Sequence, residues 1–223
     1  QLYGEASLEK WKNHFPINDH FLGVFLPKNK KSKILDIGCG DGNLVYWLNN
    51  RGFENVHGVD VSQEQIQKGQ SLGLNNLKCE NIDEYFKKDS DAFDWMIARD
   101  VFEHFTRQEF FDVLKLIYSN LNEGGKLIIQ VPNGEGLNSR AILYGDITHE
   151  MAYTHSSLSQ IAMSIGFQTI STFPLRPYSP GLKGLIRKSL WTLKEKELGF
   201  WKWIETGKKE GIFTRNLISV FQK

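Results

Sequence analysis

Cysteine is scarce in this sequence, and long apolar runs are missing. The two cysteines among 223 residues, Cys39 and Cys79, form neither a disulfide framework nor a metal-ligand spacing, which excludes the disulfide-rich secreted class. No apolar run approaches the roughly 20 residues that span a bilayer. The first residues also lack a basic stretch followed by an apolar core. We therefore expect a cytoplasmic protein that is neither secreted nor membrane-spanning.

An overall excess of one charge is also missing. Lys and Arg number 27 against 26 Asp and Glu, which argues against a general nucleic-acid partner. The distribution is uneven, because residues 176–223 carry 11 basic and 4 acidic residues, whereas residues 1–175 carry 16 basic and 22 acidic. Hydrophobic residues make up 40% of the chain, as in ordinary globular domains. We expect one domain with a cationic C-terminal part.

The sequence alternates between short β-rich runs and amphipathic helical patterns. The predicted strands are Lys33–Ile37, Val56–Asp60, Leu77–Glu80, Phe93–Ala98, Lys126–Val131, Phe167–Phe173 and Leu217–Phe221. Helical patterns cover Asn43–Asn50, Gln63–Leu72, Gln108–Leu121 and Ser157–Ile165. This alternation predicts an α/β fold with a doubly wound, mostly parallel sheet.

Two long stretches interrupt the alternation, and both follow the carboxyl end of a strand. Open α/β sheets bind ligands at that edge, and long loops in compact domains are usually functional. We interpret residues 1–223 as a single domain. Its predicted parts are an N-terminal helical segment at 1–30, an active-site insertion at 132–156 and a basic aromatic cap at 174–215.

The sharpest local signal is a buried strand that runs into a glycine-rich turn, Ile34-Leu35-Asp36-Ile37-Gly38-Cys39-Gly40-Asp41-Gly42. Its glycines remove side chains where the backbone must approach a nucleotide-like ligand. The spacing is G-x-G-x-G and not the G-x-G-x-x-G of dinucleotide sites. Asp60 ends the next strand, where a carboxylate can accept hydrogen bonds from ribose hydroxyls.

These residues resemble the class I S-adenosylmethionine-dependent methyltransferases. The resemblance covers roughly residues 30–173 and extends through Phe93–Ala98, which looks like the family's fourth strand, and Leu121–Leu127, which looks like its turn into the fifth. It implies a Rossmann-like fold of seven strands with an antiparallel last strand and a helical insertion before it. It also implies that the cofactor is S-adenosylmethionine.

By the same resemblance, Asp36 and the glycine turn would surround the methionine portion of the cofactor, and Asp60 would bind the ribose. The adenine contact is left open between Asn81 and Asp83, with Ile82 against the ring. We assign Cys39 no nucleophilic role. The implied cofactor-binding residues are Asp36, Gly38, Cys39, Gly40, Gly42, Asp60, Val61, Asn81, Ile82 and Arg99.

Methyl transfer to a hydroxyl needs a group that removes a proton, and His149 is our first candidate. An imidazole with a pKa near 6.5 suits this task at neutral pH, and Asp146 or Glu150 could fix its tautomer. The alternative is that His149 only ties down its loop. His104, beside the expected cofactor, is a second candidate base. We expect no catalytic metal, although Asp146, His149 and Glu150 could hold one.

The run Asp146-Ile147-Thr148-His149-Glu150-Met151-Ala152-Tyr153-Thr154 resembles a subgroup often found among bacterial enzymes that methylate surface sugars. This resemblance implies O-methylation of a small anionic or sugar-derived metabolite in capsule or O-antigen biosynthesis. Two alternatives are open, an N-methyltransferase acting on a small amine and a non-catalytic cofactor-binding scaffold in a glycan-assembly complex. Thr154 or Ser156 is predicted to cap the following helix.

Three interpretations of the basic aromatic cap are open. It can cover the acceptor and bind its phosphate or carboxylate, touch an anionic membrane as an interfacial helix, or pack on the core with a solvated basic face. The first interpretation places acceptor contacts in the cap. The predicted substrate-binding residues are His104, Tyr144, Arg176 and Tyr178. The sequence sets no oligomeric state.

Overall fold

The computed structural model describes residues 7–88 and 92–223, and residues 1–6 of the predicted N-terminal segment lie outside the described residues. The strands are β1 Lys33–Ile37, β2 Asn55–Asp60, β3 Leu77–Cys79, β4 Phe93–Arg99, β5 Leu121–Pro132, β6 Thr169–Pro174 and β7 Asn216–Gln222. They form one sheet in the order β3-β2-β1-β4-β5-β7-β6. Strands β1 to β5 pair in parallel, and β7 runs antiparallel to both of its neighbours. The predicted α/β fold is confirmed.

The helices of the described part are α1 Leu8–Asn13, α2 Phe15–Phe21, α3 Asn43–Asn50, α4 Gln63–Ser71, α5 Ile82–Lys88, α6 Arg107–Ser119, α7 Ser139–Leu143, α8 His155–Ile165 and α9 Gly181–Thr206. Two hydrophobic clusters form the core. One joins the sheet to α5, α6 and α8, and the other joins it to α1, α3 and α4. Helix α5 was not predicted from the sequence. None of the described helices combines the length and the apolar character that a membrane span requires.

The junction between α6 and β5 differs from the prediction. The helix ends at Ser119 and not at Leu121, and the strand begins at Leu121 instead of Lys126. Gly124 has a φ of 75°, and the pairing of β4 with β5 shifts register just after Phe93. The glycines therefore form an irregularity inside an early-starting strand, because a left-handed residue bends the ladder without ending it.

The boundary of α8 is set by two local features. Thr154 is its N-cap, and the Ser157 N–H donates to the Thr154 hydroxyl over 3.1 Å, as predicted for one of the two candidate caps. At the other end Gly166 has a φ of 123°, and Phe167 turns into the core. Strand β6 consequently begins at Thr169, two residues later than predicted.

The N-terminal helices pack beside the glycine turn. The indole N–H of Trp11 donates to a carboxylate oxygen of Asp41 over 3.1 Å. Asn18 on α2 accepts a hydrogen bond of 3.0 Å from the Arg99 guanidinium at the end of β4. These contacts tie α1 and α2 to the carboxyl ends of the central strands.

Candidate active site

A cleft of about 1410 Å³ opens at the carboxyl ends of the parallel strands. The turn after β1, the ends of β2 and β3, the segment after β4 and the loop around residues 141–149 form its walls. Open α/β sheets bind ligands at this edge. The structure brings together eleven of the predicted site residues here, namely Gly38, Cys39, Gly40, Asp60, Val61, Asn81, Ile82, Arg99, His104, Asp146 and His149.

The glycine turn depends on the absence of a side chain at Gly38. Its φ is 69°, and an added Cβ would lie 2.3 Å from a methyl carbon of Val101. The backbone N–H groups of Gly38 and Cys39 donate to the carbonyl oxygen of Val59 over 2.8 and 3.1 Å. The first turn is thus fixed to the end of β2, where it leaves room for a ligand.

Two backbone N–H groups, one in the glycine turn and one just after β2, orient the Asp60 carboxylate. One carboxylate oxygen accepts the N–H of Gly40 and the other accepts the N–H of Ser62, each over 2.8 Å. A carboxylate oxygen has two acceptor positions, so each oxygen can still accept a hydroxyl. The geometry fits the pair of ribose hydroxyls of the predicted cofactor.

Gly42 lies outside the cleft lining, whereas Cys39 lines the cleft with a buried thiol. Gly42 has a φ of 85°, and a Cβ there would lie 2.5 Å from Leu74 and 2.9 Å from Leu77, so this glycine permits packing and does not line the cleft. Burial and the nearby carboxylates of Asp36 and Asp60 raise the pKa of the Cys39 thiol. The thiol stays protonated, which agrees with the absence of a nucleophilic role.

Asp36 lies beneath the turn, 3% exposed, and does not reach the cleft surface. Burial raises its pKa to about 7, although the Arg99 guanidinium opposes the shift. A cationic group brought to the turn would favour the charged carboxylate. The predicted contact of Asp36 with the methionine portion is therefore indirect in this geometry.

At the predicted adenine end, the Oδ1 of Asn81 accepts the Glu84 N–H over 2.8 Å and so caps α5. Glu80, which the sequence analysis missed, lines the cleft beside it. One of its carboxylate oxygens pairs with Lys88 over 2.8 Å. The other is buried and has no hydrogen-bond partner among the described residues. Its position as an acidic residue at the end of β3 could have identified Glu80 from the sequence.

Two histidines meet at the far end of the cleft. The rings of His104 and His149 are edge to face, with centroids 4.9 Å apart. The loop that carries His149 is attached by the N–H groups of Glu150 and Met151, which donate to the carbonyl oxygen of Glu103 over 2.7 and 3.2 Å. Backbone contacts therefore bring together two residues that are 45 positions apart in the sequence.

The hydrogen bonds of the two rings select their tautomers. Nδ1 of His149 lies 3.0 Å from the carbonyl oxygen of Ile142, and Nδ1 of His104 lies 3.2 Å from that of Thr148. Carbonyl oxygens only accept, so each neutral ring carries its proton on Nδ1 and keeps a lone pair on Nε2. Both histidines are therefore arranged to accept a proton.

Asp146 acts on His104 more directly than on His149. The Thr148 hydroxyl donates to Asp146 over 2.7 Å and lies 2.9 Å from Nδ1 of His104. Hydrogen bonds from the hydroxyl and N–H of Thr148 lower the pKa of Asp146. The predicted support of His149 by Asp146 is corrected, since the hydrogen-bonded chain runs from Asp146 through Thr148 to His104.

A buried carboxyl lies beside the histidine pair. Glu103 is 2% exposed, and its Oε2 has no hydrogen-bond partner among the described residues. Burial, reinforced by the charge of Asp100, raises the pKa of Glu103 to about 8. One oxygen of Glu103 and one nitrogen each of His104 and His149 lie within 4.8 Å of one another. Two imidazoles and a carboxylate are a ligand set that divalent metals accept.

Four further predicted site residues lie outside the cleft lining. Tyr144 is 81% exposed, and the Glu150 side chain is also exposed, so only its backbone N–H contributes. Arg176 pairs with Glu195 of α9 over 2.9 Å. Tyr178 stacks on His20 of α2, with ring centroids 4.3 Å apart. Tyr144 and Glu150 were predicted from their closeness to His149 in the sequence, and Arg176 and Tyr178 from charge and aromaticity, but the fold directs all four side chains elsewhere.

The cleft also contains residues that the sequence analysis missed. Arg215, just before β7, lines it, and so does Asp100, which has a φ of 53° although it is not glycine. Gln130 holds the Asp100 carboxylate with bonds of 3.1 and 2.9 Å. Strained backbone of this kind concentrates at functional sites. Arg215 could have been identified from the sequence by its position in the cationic C-terminal part, just before the last predicted strand.

A smaller cavity of about 210 Å³ adjoins the cleft and shares Ala141, Ile142 and Arg215 with it. Its other walls are Leu137, Asn138, Phe213 and Trp191 of α9. The indole nitrogen of Trp191 is buried and has no hydrogen-bond partner among the described residues. The cleft therefore extends toward the inner face of α9 along a largely apolar wall.

Comparison with known proteins gives one family match. Residues 11–172 match the family model described as a methyltransferase domain. An uncharacterized methyltransferase of Oceanobacillus iheyensis is 24% identical over 215 residues, which cover 93% of this chain and 92% of that protein. A solved structure named as an S-adenosylmethionine-dependent methyltransferase from Archaeoglobus fulgidus is 21% identical, with a TM-score of 0.70 and coverage of 96% and 97%.

A functionally named relative matches over a shorter stretch. The mitochondrial ubiquinone biosynthesis O-methyltransferase of Rattus norvegicus is 31% identical over 110 residues, which make up 45% of this chain. The matched part spans 31% of the rat enzyme's length. The sequence similarity to the rat enzyme is thus confined to these 110 residues.

Proposed function

The chain belongs to the methyltransferase domain family, and on this basis we propose that it transfers the methyl group of S-adenosylmethionine to an oxygen of a small anionic or sugar-derived acceptor. The cofactor supplies an activated methyl group on a sulfonium. The Gly38 to Gly42 turn and Asp60 hold the cofactor, because they offer backbone approach and a pre-oriented carboxylate. The residues at the other end of the cleft then bind the acceptor and take its proton.

The proposal that the acceptor atom is an oxygen rests on the tautomers of His104 and His149, which leave Nε2 of each neutral ring free to accept a proton. A hydroxyl loses a proton when it is methylated, so a neutral imidazole with a free Nε2 suits it. His149 is the proposed base, and His104, oriented by Thr148 and Asp146, is the neighbour that shares the acceptor. An amine that arrives neutral needs no such base. The name of the rat relative, an O-methyltransferase, supports the same direction.

The proposed anionic or sugar-derived character of the acceptor rests on one arginine, Arg215, in a cleft lining with more acidic than basic side chains, and on a sequence resemblance. Arg99 and Arg215 line the cleft, and Arg99 already bonds to Asn18. Arg215 is therefore the side chain proposed to bind a phosphate or carboxylate of the acceptor. The Asp146 to Thr154 run resembles enzymes that methylate bacterial surface sugars, which favours a place in polysaccharide biosynthesis.

We test the proposal with labelled S-adenosylmethionine and a panel of sugar phosphates, nucleotide sugars, hydroxy acids and small amines. The expected result is methyl transfer to a hydroxyl of one anionic class, with turnover that survives exhaustive chelation because the histidines act as base and not as metal ligands. Transfer only to amines, or turnover lost on chelation and restored by one metal, would contradict the proposal. Binding of the cofactor without transfer to any acceptor class would favour the scaffold alternative.

A further inference from the structure

Helix α9 carries an apolar stripe that the described part of the fold leaves uncovered. Nine large apolar side chains on this 26-residue helix are between 47% and 73% exposed, namely Leu182, Leu185, Ile186, Leu190, Leu193, Phe200, Trp201, Trp203 and Ile204. Several of them recur at spacings of three or four residues, so they share one face. Monomeric soluble proteins rarely expose so extended an apolar surface.

The opposite face of α9 contacts its own flanking segments and a few positions in the rest of the described structure. Gly184 and Gly199 are its buried residues, and an added Cβ on Gly199 would lie 3.0 Å from the carbonyl oxygen of Lys209. Lys202 pairs with Glu135 over 3.0 Å. Trp191 faces the small cavity beside the cleft. Trp191 and Lys202 thus lie on the side of α9 that faces the protein, and the apolar stripe lies on the other side.

Positive charge accompanies the stripe. The helix has six basic and three acidic residues, and Lys194 and Lys202 are paired with glutamates. Lys183, Arg187, Lys188 and Lys196 form no ion pair with other described residues, and all four lie on the same helix as the stripe. Residues 1–175, by contrast, have an acidic excess. The cationic charge is thus concentrated on the same element as the exposed apolar residues.

We propose that α9 docks on an anionic membrane surface, with its apolar stripe at the boundary between headgroups and acyl chains and its lysines and arginines on lipid phosphates. Tryptophan, phenylalanine and leucine on one side of a helix with a basic polar face are typical of interfacial helices. Anionic lipid neutralises the surplus cations at about 1 kcal/mol for each Lys or Arg. A second copy of the chain would instead oppose the same excess of positive charge.

Membrane docking also has a consequence for the acceptor, and this consequence rests on the proposed function. The small cavity lies between α9 and the cleft, and it shares Ala141, Ile142 and Arg215 with the cleft. A docked protein would accordingly take its acceptor from the membrane surface, with the polar end at Arg215 and His149. The acceptor class then includes anionic or sugar-bearing amphiphiles as well as freely diffusing metabolites.

The test is co-sedimentation of the full chain with lipid vesicles. One vesicle preparation is phosphatidylcholine alone, and the other also contains phosphatidylglycerol as the anionic lipid. Leu190→Glu with Leu193→Glu removes part of the stripe at two exposed positions, and Lys183→Glu with Arg187→Glu reverses charge. Met163→Glu, at a 66% exposed position on α8, is the matched control.

We expect wild type and Met163→Glu to sediment with anionic but not with neutral vesicles, and added salt to weaken binding. Each double variant should lower the partition coefficient by about tenfold or more, since about 1 kcal/mol for each charge corresponds to roughly fivefold. Failure of wild type to bind, or equal binding by all variants, would overturn the proposal. So would a dimer in light scattering that Leu190→Glu with Leu193→Glu dissociates without any vesicle binding.

Calorimetric titration with S-adenosylmethionine separates the two proposals. The α9 variants should bind the cofactor as wild type does, because none of the substituted residues lines the cleft. Cofactor binding and methyl transfer without vesicle binding would reject the docking alone. Vesicle binding by a protein that does not bind the cofactor would reject the proposed function and leave the docking in place.

Discussion

His104 and His149 meet edge to face with ring centroids 4.9 Å apart, and each carries its proton on the nitrogen that faces a loop carbonyl. This arrangement leaves Nε2 of each neutral ring as a proton acceptor. It also means that neither histidine depends on the Glu150 side chain, which is exposed. The proton-accepting character of the site comes from loop carbonyl groups at Nδ1 of both rings and, for His104, also from the side chains of Thr148 and Asp146.

Replacement of His149 tests the assignment of the base. His149→Ala should lower kcat by about a hundredfold or more, since general base catalysis contributes about 10² to 10⁴. Cofactor affinity should be unchanged. His155→Ala, which removes a ring that bonds to Thr172 outside the cleft, is the matched control. Turnover of His149→Ala within about a factor of two of wild type would remove His149 from the catalytic role.

Glu103 makes stability depend on pH. Its pKa rises from the ordinary value of 4.5 for a glutamate side chain to about 8 in the folded protein. Between these values the folded state keeps a proton that the unfolded state releases, so this group's contribution to stability falls as pH rises through that window. Glu103→Gln stays neutral, so we expect it to unfold at a higher denaturant concentration than wild type at about pH 9 and at a similar one near pH 4.5.

The control for this comparison is Glu54→Gln, which replaces an exposed carboxyl. Each unit of pKa shift corresponds to about 1.4 kcal/mol, so the separation of Glu103→Gln from wild type at high pH should be readily measured by urea denaturation. A difference between the two proteins that is the same at both pH values would show that Glu103 does not hold a proton in the folded state.

Gly38 and Gly40 should respond differently to the same substitution. Both have positive φ, but a Cβ on Gly38 collides with Val101, whereas one on Gly40 has no atom within 4 Å. Gly40→Ala should lower the free energy of unfolding by about 1 to 2 kcal/mol through backbone strain alone. Gly38→Ala should lower it more, because the added Cβ also collides with Val101. Urea unfolding of the two variants measures this. Equal losses of stability would contradict the close packing of the turn on Val101.

Arg215 replaces Arg176 as the predicted anion-binding residue. Arg215→Ala should raise the KM of the acceptor by about tenfold or more, because a charged hydrogen bond contributes about 1.5 to 3 kcal/mol. The KM of the cofactor should change little. Arg176→Ala, which breaks only the pair with Glu195, serves as the control. Steady-state kinetics in which Arg176→Ala raises the acceptor KM as much as Arg215→Ala would return the role to the cap.

The fold could be predicted from the sequence because its signals are local. Alternating apolar periods specify strands and helices, and the run into Gly38 to Gly42 specifies where the sheet binds a ligand. The start of β5 was missed because Leu121 pairs with Phe93 through a register shift that no local pattern encodes. Asn81 lines the cleft, and its Oδ1 also caps α5, a helix that the pattern did not reveal.

The candidate site was predictable where its residues follow strands directly. Asp60, His104 and His149 fall in the cleft because strand ends and one insertion bring them there. Arg176 and Tyr178 were assigned by their charge and aromaticity alone. Contacts of long sequence separation, with Glu195 on α9 and with His20 on α2, direct both side chains away from the cleft.

The most direct test is calorimetric titration of the purified chain with S-adenosylmethionine and S-adenosylhomocysteine, beside NAD and the variants Asp60→Ala and Glu64→Ala. The account predicts binding in about the micromolar range for wild type and Glu64→Ala, no binding of NAD, and a loss of about a hundredfold in folded Asp60→Ala, as expected for two charged hydrogen bonds. Failure of wild type to bind either ligand, or unchanged affinity in Asp60→Ala, would contradict the account.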